Sequence, residues 1–184
     1  MNLWWVMTSS SQCSYEELKR RQCLALSWSE LDDLSKYVRD KPGWERQFKT
    51  FVQLRGNIAY VNDRRWGPQQ QDLSTGVPDV FWRWLHIRKG DLIALMETGS
   101  QITLGQIEVL GIARVHTDAF STYRYDSQYH HAHQVLGGLK WVDWDIKHFG
   151  ELPKPEGSFN ALTIDNSQIA LVEEALSASE AIQA

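Results

Sequence analysis

The sequence predicts an α+β fold, with about six β-strands and with helices concentrated in the first half of the chain. Short apolar runs rich in strand-forming residues, such as "NLWWVM" and "LIALME", end at polar or glycine-containing clusters, as strands do. Apolar residues at helical spacing mark two segments between residues 29 and 54. The 184 residues, 42% of them hydrophobic, suffice for one core. We therefore expect one domain over residues 1–177, with a tail or the start of a linker over 178–184.

The N-terminal part combines two strands and a helix. The first strand covers residues 2–7 and ends at the polar cluster that follows. Ser14 and Glu17 have the spacing of a capping box, which predicts a helix over residues 15–22. The apolar run "CLALSW" predicts a second strand that ends at Trp28.

A helical insertion is expected over about residues 32–85. It begins within the first of two amphipathic helices, predicted over residues 29–38 and 44–54 on either side of a Lys-Pro-Gly turn. Residues 55–76 are polar and contain three successive glutamines, so we expect a surface loop that could close over a ligand. A helical turn over residues 77–85 ends the insertion.

The second half of the chain supplies the centre of the sheet. The strand "LIALME" follows a turn at residues 88–91, and residues 101–115 contain one or two further strands. Residues 116–134 are polar, rich in Tyr and His, and expected to form a loop. "LKWVDWD" predicts another strand, and residues 160–176 a short strand and a final helix.

Composition narrows the possible functions. A net charge of −4 gives no global basic field, so any contact with nucleic acid must be local. Two cysteines are too few for a disulfide framework, and no run approaches the ~20 apolar residues of a membrane span, so we expect a cytoplasmic protein that does not contact a membrane. Nine tryptophans exceed what a core of this size needs, which favours a stacking or cage site, with core filling as the alternative.

The common signatures of nucleotide-binding and hydrolytic enzymes are absent: the sequence contains no GxGxxG, GxxxxGK[ST], GxSxG or HExxH pattern. We therefore expect a binding protein without enzymatic activity and without a cofactor. The alternative is an enzyme that acts on modified nucleotides and uses Asp126, His130 or His131 as a general acid or base.

Three short motifs and their order carry a family resemblance. They are Trp28-Ser29 after the first helix, "GIAR" at residues 111–114, and "GGLKWVDW" at residues 137–144. Their order along roughly residues 2–153 resembles the PUA-like superfamily, specifically its EVE and YTH branches. The resemblance implies an open β-barrel with a pocket that receives one base and tests whether it is methylated. Similar domains stand at the N-terminus of modification-dependent restriction systems of the McrBC type.

The resemblance implies where the base would bind. It places one wall of an aromatic cage at Trp28 and the second in the loop 120–133, where Tyr123, Tyr125 and Tyr129 are available, with Tyr125 and Tyr129 selected. Trp4 and Trp5 would face opposite sides of a strand, so at most one of them can reach the pocket, and Trp5 is taken as that one. The groups that could bond the edge of the base are Thr8, Ser9, Ser10, Ser29 and Asp126. Their alternative roles are helix caps and turns.

Basic residues beside these elements are the candidates for phosphate contacts: Lys19, Arg20, Arg21, Arg88 and Lys89. A solvated charged face is the alternative for them. The histidines at 130, 131 and 133 have no evident fourth ligand, so we expect no metal site.

The sequence thus predicts a domain that recognises a modified, methylated base in DNA and serves a nuclease or NTPase effector of a restriction or defence system. One rival is an RNA-binding reader of the same fold, which a preference for 2′-hydroxyls would reveal. Another is a small-molecule sensor or protein-interaction module that uses the same aromatic pocket.

Overall fold

Strands and helices follow one another in an order that produces two β-sheets. The computed structural model describes residues 1–9, 13–61, 66, 73, 76–98, 109–128, 133–153 and 162–183. Within these ranges the strands are β1 (Leu3–Ser9), β2 (Leu24–Leu26), β3 (Leu92–Thr98), β4 (Val109–Val115), β5 (Tyr123–Tyr125), β6 (Gln134–Leu136), β7 (Leu139–Asp143) and β8 (Leu162–Ile164). The helices are α1 (Tyr15–Arg21), α2 (Glu45–Ala59), α3 (Val77–Leu85), α4 (Ala119–Thr122), α5 (Ile146–Phe149) and α6 (Ile169–Gln183). The predicted α+β class is confirmed.

The larger sheet has the strand order β7-β4-β3-β1-β8 and the smaller one the order β2-β6-β5. Strand β1 pairs parallel to β3, and all other pairs are antiparallel. Strand β3 is therefore central, as expected for "LIALME". In the described ranges the two sheets do not join into a closed barrel. The barrel implied by the family resemblance is not confirmed.

The larger sheet separates two hydrophobic cores, and the adjacent residues Trp4 and Trp5 divide between them. Trp4 belongs to the core that contains the smaller sheet together with α2 and α3. Trp5 belongs to the core under α6, where it packs with Val172 and Leu176. Successive strand residues point to opposite faces, which explains the division. Much of the tryptophan excess is thus core filling on both faces of one sheet.

A buried carboxylate fixes the turn before β3 and ties it to β1. Asp91 is 3% exposed and accepts three hydrogen bonds, which come from the Asn2 N–H (2.8 Å), the Trp4 indole N–H (2.9 Å) and the Arg88 N–H (2.9 Å). One carboxylate thus satisfies three N–H donors that come from different parts of the chain. The predicted turn at residues 88–91 is therefore also a link between two neighbouring strands.

Gly111 of the "GIAR" motif lies beneath the ring of Tyr15. A Cβ atom at Gly111 would stand 2.3 Å from the Tyr15 hydroxyl oxygen, so the approach requires glycine. The Tyr15 hydroxyl donates to Asp143 Oδ1 over 2.8 Å and so ties α1 to β7. The motif glycine allows α1 to pack closely on the sheet. Ser14 caps α1 as predicted, because its Oγ accepts from the Glu17 N–H over 3.3 Å.

The predicted helix over residues 29–38 is wrong. Only a 3₁₀ turn, Ser29–Leu31, forms there, and Asp32 adopts a φ of 61° that interrupts a helix. The Asp33 carboxylate accepts from the Ser35 N–H over 2.8 Å, a local bond that competes with helical bonding. The second predicted helix, over 44–54, is confirmed and extends to Ala59 as α2.

Residues 116–134 are not the loop that was predicted, because α4, β5 and the start of β6 lie there. Strands β5 and β6 pair, and β6 also pairs with β2. The polar, tyrosine-rich composition of this segment did not predict its strands, because β6 pairs with β2, which is distant in the sequence. At the other end of the chain α6 runs through residue 183 and so includes most of the residues that were expected to form a tail.

Candidate functional site

Trp28 stands at the end of β2 in an unusual backbone conformation. Its φ and ψ are 68° and 52°, the left-handed region that a bulky residue rarely occupies and that costs of order 1–3 kcal/mol. The half-buried ring packs on Phe81, with 5.2 Å between ring centroids, and meets Trp66 edge-on at 6.4 Å. Ring packing holds the strained residue in place and leaves part of the indole at the surface.

The segment after Trp28 is anchored to the smaller sheet. Gln134 is 0% exposed and donates to the Asp32 carbonyl over 3.1 Å. The Tyr123 hydroxyl donates to Gln134 and accepts from the Leu34 N–H over 3.2 Å. These bonds hold Asp32 at its positive φ, so residues 28–34 form a turn that is anchored to strands β5 and β6.

Two further tyrosines converge on this turn from different elements. Tyr60 follows α2, and its hydroxyl bonds the Glu30 carboxylate and accepts from the Glu30 N–H over 3.3 Å. Tyr125 of β5 donates to the Ser29 carbonyl over 3.4 Å, and its ring stacks on His133 at a centroid distance of 5.4 Å. We call the surface formed by these six residues the Trp28 rim: Trp28, Ser29, Glu30, Tyr60, Tyr125 and His133.

Trp66 connects two members of the rim from the inside. Its ring is 1% exposed, stacks on Tyr60 at 5.6 Å and meets Trp28 edge-on. Gly56 of α2 permits this position, because a Cβ atom there would stand 1.8 Å from the Trp66 ring. Among the described residues the Trp66 indole N–H has no acceptor. The rim thus rests on a buried aromatic cluster.

Negative charge surrounds the rim. Glu30, Asp32 and Asp33 are exposed carboxylates within one short segment, and Arg55 forms an ion pair with Asp32 at 3.2 Å. The pKa of Tyr125 lies above that of an ordinary tyrosine because of burial, and then because of the negative charges of Asp32, Asp33 and Glu30. This direction shows that the Tyr125 hydroxyl lies in the field of all three carboxylates.

Replacing Tyr60 with phenylalanine is expected to raise the pKa of Glu30 toward the ordinary glutamate value. The hydrogen bond from Tyr60 is the largest cause that lowers this pKa, followed by the bond from Ser29. Because the folded pKa is the lower one, Glu30 stabilises the fold above the ordinary glutamate pKa, and this stabilisation is lost as pH falls through the folded pKa. An NMR titration of the Glu30 side chain between about pH 2 and pH 6 measures the shift.

The control for this titration is Tyr37→Phe, since the Tyr37 ring stacks on Phe51 instead of on the rim. That variant is expected to leave the Glu30 titration curve unchanged. An unchanged curve in the Tyr60→Phe protein would contradict the assignment of the Tyr60 bond.

The structure brings together some of the residues that the sequence selected for base binding. Trp28, Ser29 and Tyr125 all lie on the rim. Trp5 does not, because it is 0% exposed in the core on the other face of the larger sheet. The Ser9 side chain, Ser10 and Tyr129 lie outside the described residues.

Asp126 lies beside the rim with both carboxylate oxygens engaged. One accepts from the Gln128 N–H over 3.1 Å, and the other lies 3.1 Å from the Arg21 guanidinium. The Asp126 N–H donates to the His133 carbonyl over 2.8 Å. Asp126 therefore forms a turn and links α1 to the rim.

Four of the five residues selected for phosphate contacts form ion pairs within the chain. Lys19 pairs with Asp143 at 2.7 Å, and Arg20 pairs with Glu17 at 2.6 Å. Arg21 pairs with Asp126, and Arg88 pairs with Asp40 at 2.9 Å. Lys89 has an exposed side chain. A phosphate that binds here must compete with carboxylates for most of these cations.

The described residues contain no group of three His, Cys, Asp or Glu side chains arranged to hold a metal ion. His133 stacks on Tyr125, whereas His130 and His131 lie outside the described residues. None of the helices in the described ranges has the length and apolar character needed to cross a membrane.

Sequence reasoning missed Tyr60, Glu30 and Trp66 as parts of this site. Tyr60 is 30 residues from Glu30 in the chain, and its position at the end of α2 is the one local signal. Glu30 was assigned to a helix face that does not form. Nothing in the local sequence predicts that these residues meet.

Over the ranges that the structure describes, the fold and the site define an α+β protein that has two sheets and an aromatic surface with carboxylates beside it. Comparison with protein-family models, with curated proteins and with solved structures found no match to the chain.

Proposed function

We propose that this protein binds nucleic acid and recognises a modified, methylated base in DNA at the Trp28 rim, without chemical activity of its own. The observation that supports this most is the conformation of Trp28. A large ring is held half-exposed by a strained backbone, beside two tyrosines that come from separate elements. Such strain persists where surrounding structure enforces it, and it clusters at binding sites.

The chemistry of the rim suits a flat ligand with a hydrogen-bonding edge. Stacking of one base on an aromatic side chain contributes about 1–3 kcal/mol and tolerates an added methyl group. The Ser29 hydroxyl and the Glu30 carboxylate lie next to the rings, and a carboxylate can accept from an exocyclic amino group. In duplex DNA the base must first leave the stack, which costs a few kcal/mol that stacking and phosphate contacts must offset.

The charge distribution limits how the rest of the nucleic acid can lie. The carboxylates around the rim repel phosphates. Lys19, Arg20 and Arg21 lie in the last turn of α1, and the Arg21–Asp126 ion pair ties that helix to the residue after Tyr125. Since these cations are paired with carboxylates, phosphate contacts add little net attraction. We therefore propose that the base, more than the backbone, provides the affinity. The family resemblance further suggests a nuclease or NTPase effector as the partner.

A panel of labelled oligonucleotides of one sequence tests the proposal. The site carries N6-methyladenine, 1-methyladenine, 7-methylguanine, 5-methylcytosine, 5-hydroxymethylcytosine or no modification, in single- and double-stranded DNA and in RNA, and binding is measured by fluorescence anisotropy at fixed salt. We expect saturable binding to one modification in DNA. Equal or absent binding across the panel would remove the reader function, and a preference for RNA would replace DNA as the target.

A further inference from the structure

We propose that the base recognised at the Trp28 rim carries a positive charge, as adenine does when its N1 is methylated and as guanine does when its N7 is methylated. This inference rests on the proposed function and specifies its ligand class. The aromatic rings would suit any flat base, whereas the carboxylates around them favour a cationic one.

Negative charge concentrated in residues 30–33 is the first observation. The hydrogen bonds of Glu30 come from the hydroxyls of Tyr60 and Ser29, and Asp33 accepts from the Ser35 N–H. All these donors are neutral. Arg55 pairs with Asp32 at 3.2 Å, and the pKa of Asp33 is lowered by the bonds from Ser35 and then by the charges of Lys36 and Arg55. The three carboxylates thus outnumber the two described lysine and arginine side chains that act on them.

The rings themselves add to the preference for a cation. Trp28, Tyr60 and Tyr125 present π-systems, and the face of an indole or phenol attracts positive charge. In a base methylated at a ring nitrogen, the charge is spread over the same flat ring that stacks. Such a ligand gains from stacking, from the cation–π interaction and from the charge of the carboxylates at once, whereas a neutral methylated base gains from stacking and from hydrogen bonds at its edge.

An isomeric pair isolates the effect of charge. One single-stranded DNA sequence is made with 1-methyladenine, which is cationic, or with N6-methyladenine, which is neutral and has the same mass. A second pair carries 7-methylguanine or guanine. We expect the cationic member of each pair to bind about tenfold more tightly at neutral pH, which corresponds to about 1.4 kcal/mol.

The double variant Glu30→Gln with Asp33→Asn keeps the size of both side chains and removes their charge. It is expected to reduce the preference for 1-methyladenine over N6-methyladenine to about twofold or less. Both carboxylates are exposed, so the variant retains the core. Asp165→Asn, at a half-buried carboxylate beside β8 that accepts from the Ser167 N–H, is the control and should leave both affinities unchanged.

The possible results separate the two proposals. If N6-methyladenine binds as tightly as 1-methyladenine and the binding requires Trp28, the charge inference is overturned and the proposed function stands. If no oligonucleotide binds, both the charge inference and the proposed function are wrong. Binding of a trimethyllysine peptide through Trp28, without binding of any oligonucleotide, would also overturn both, because the cation would then belong to a protein partner.

Discussion

Replacing Asp91 with alanine is expected to lower the free energy of unfolding by about 3–5 kcal/mol. The change removes the acceptor of three donors at once, the backbone N–H groups of Asn2 and Arg88 and the indole N–H of Trp4. Each donor left without a partner away from water costs about 1–3 kcal/mol. The loss also separates β1 from the turn that starts β3, and these two strands form the centre of the larger sheet. Urea unfolding followed by tryptophan fluorescence measures the effect.

A second aspartate near the same turn provides the control. Among the described residues, the Asp118 carboxylate accepts one hydrogen bond, from the Lys89 N–H over 2.7 Å at an exposed position. Asp118→Ala is therefore expected to cost no more than about 1 kcal/mol. If Asp91→Ala and Asp118→Ala destabilise the protein equally, the three hydrogen bonds of the Asp91 carboxylate do not have the importance that we assign to them.

Replacing Trp28 with alanine is expected to weaken binding of the preferred modified oligonucleotide by about 5-fold to 150-fold, the range that corresponds to the stacking of one base. Binding of the unmodified oligonucleotide should change much less, so that selectivity is lost. The fold should persist, because Trp28 is half-buried at the margin of the first core. Anisotropy with a labelled oligonucleotide is the suitable measurement, since the substitution also removes an intrinsic fluorophore.

Trp44 is the matched control for Trp28. It is also half-buried and precedes α2, whereas Tyr60 follows the same helix about 20 Å away. Trp44→Ala is expected to leave selectivity intact. If Trp28→Ala unfolds the protein, or if Trp44→Ala loses selectivity to the same extent, the assignment of the aromatic wall to Trp28 is wrong.

A third tryptophan illustrates the difference between packing and recognition. Trp144 is buried in the core under α6, packs on Phe149, and donates to the Gly150 carbonyl over 2.9 Å. Identical side chains thus have different environments in this protein.

Local signals predicted elements well where the information was local. The capping box at Ser14, the apolar spacing of α2 and the strand "LIALME" each depend on residues within a few positions, and each is confirmed. The prediction over residues 29–38 was wrong because apolar spacing was weighed without the competing bonds of Asp33 and the anchoring of Asp32 by Gln134. The prediction missed strands β5 and β6, because β6 pairs with β2, which is distant in the sequence, and β5 is a strand only through its pairing with β6.

The sequence by itself determined the α+β class, most of the helices and strands, and the choice of Trp28, Ser29 and Tyr125 as neighbours in one site. Only the tertiary structure decided that Trp5 lies on the opposite face, that Tyr60 and Trp66 complete the aromatic surface, and that carboxylates surround it. Helix and strand preferences act over a few residues, whereas a site is made by contacts such as that of Tyr125 with Ser29, 96 residues apart. Those contacts depend on how the two sheets pack, and no short stretch of sequence contains that information.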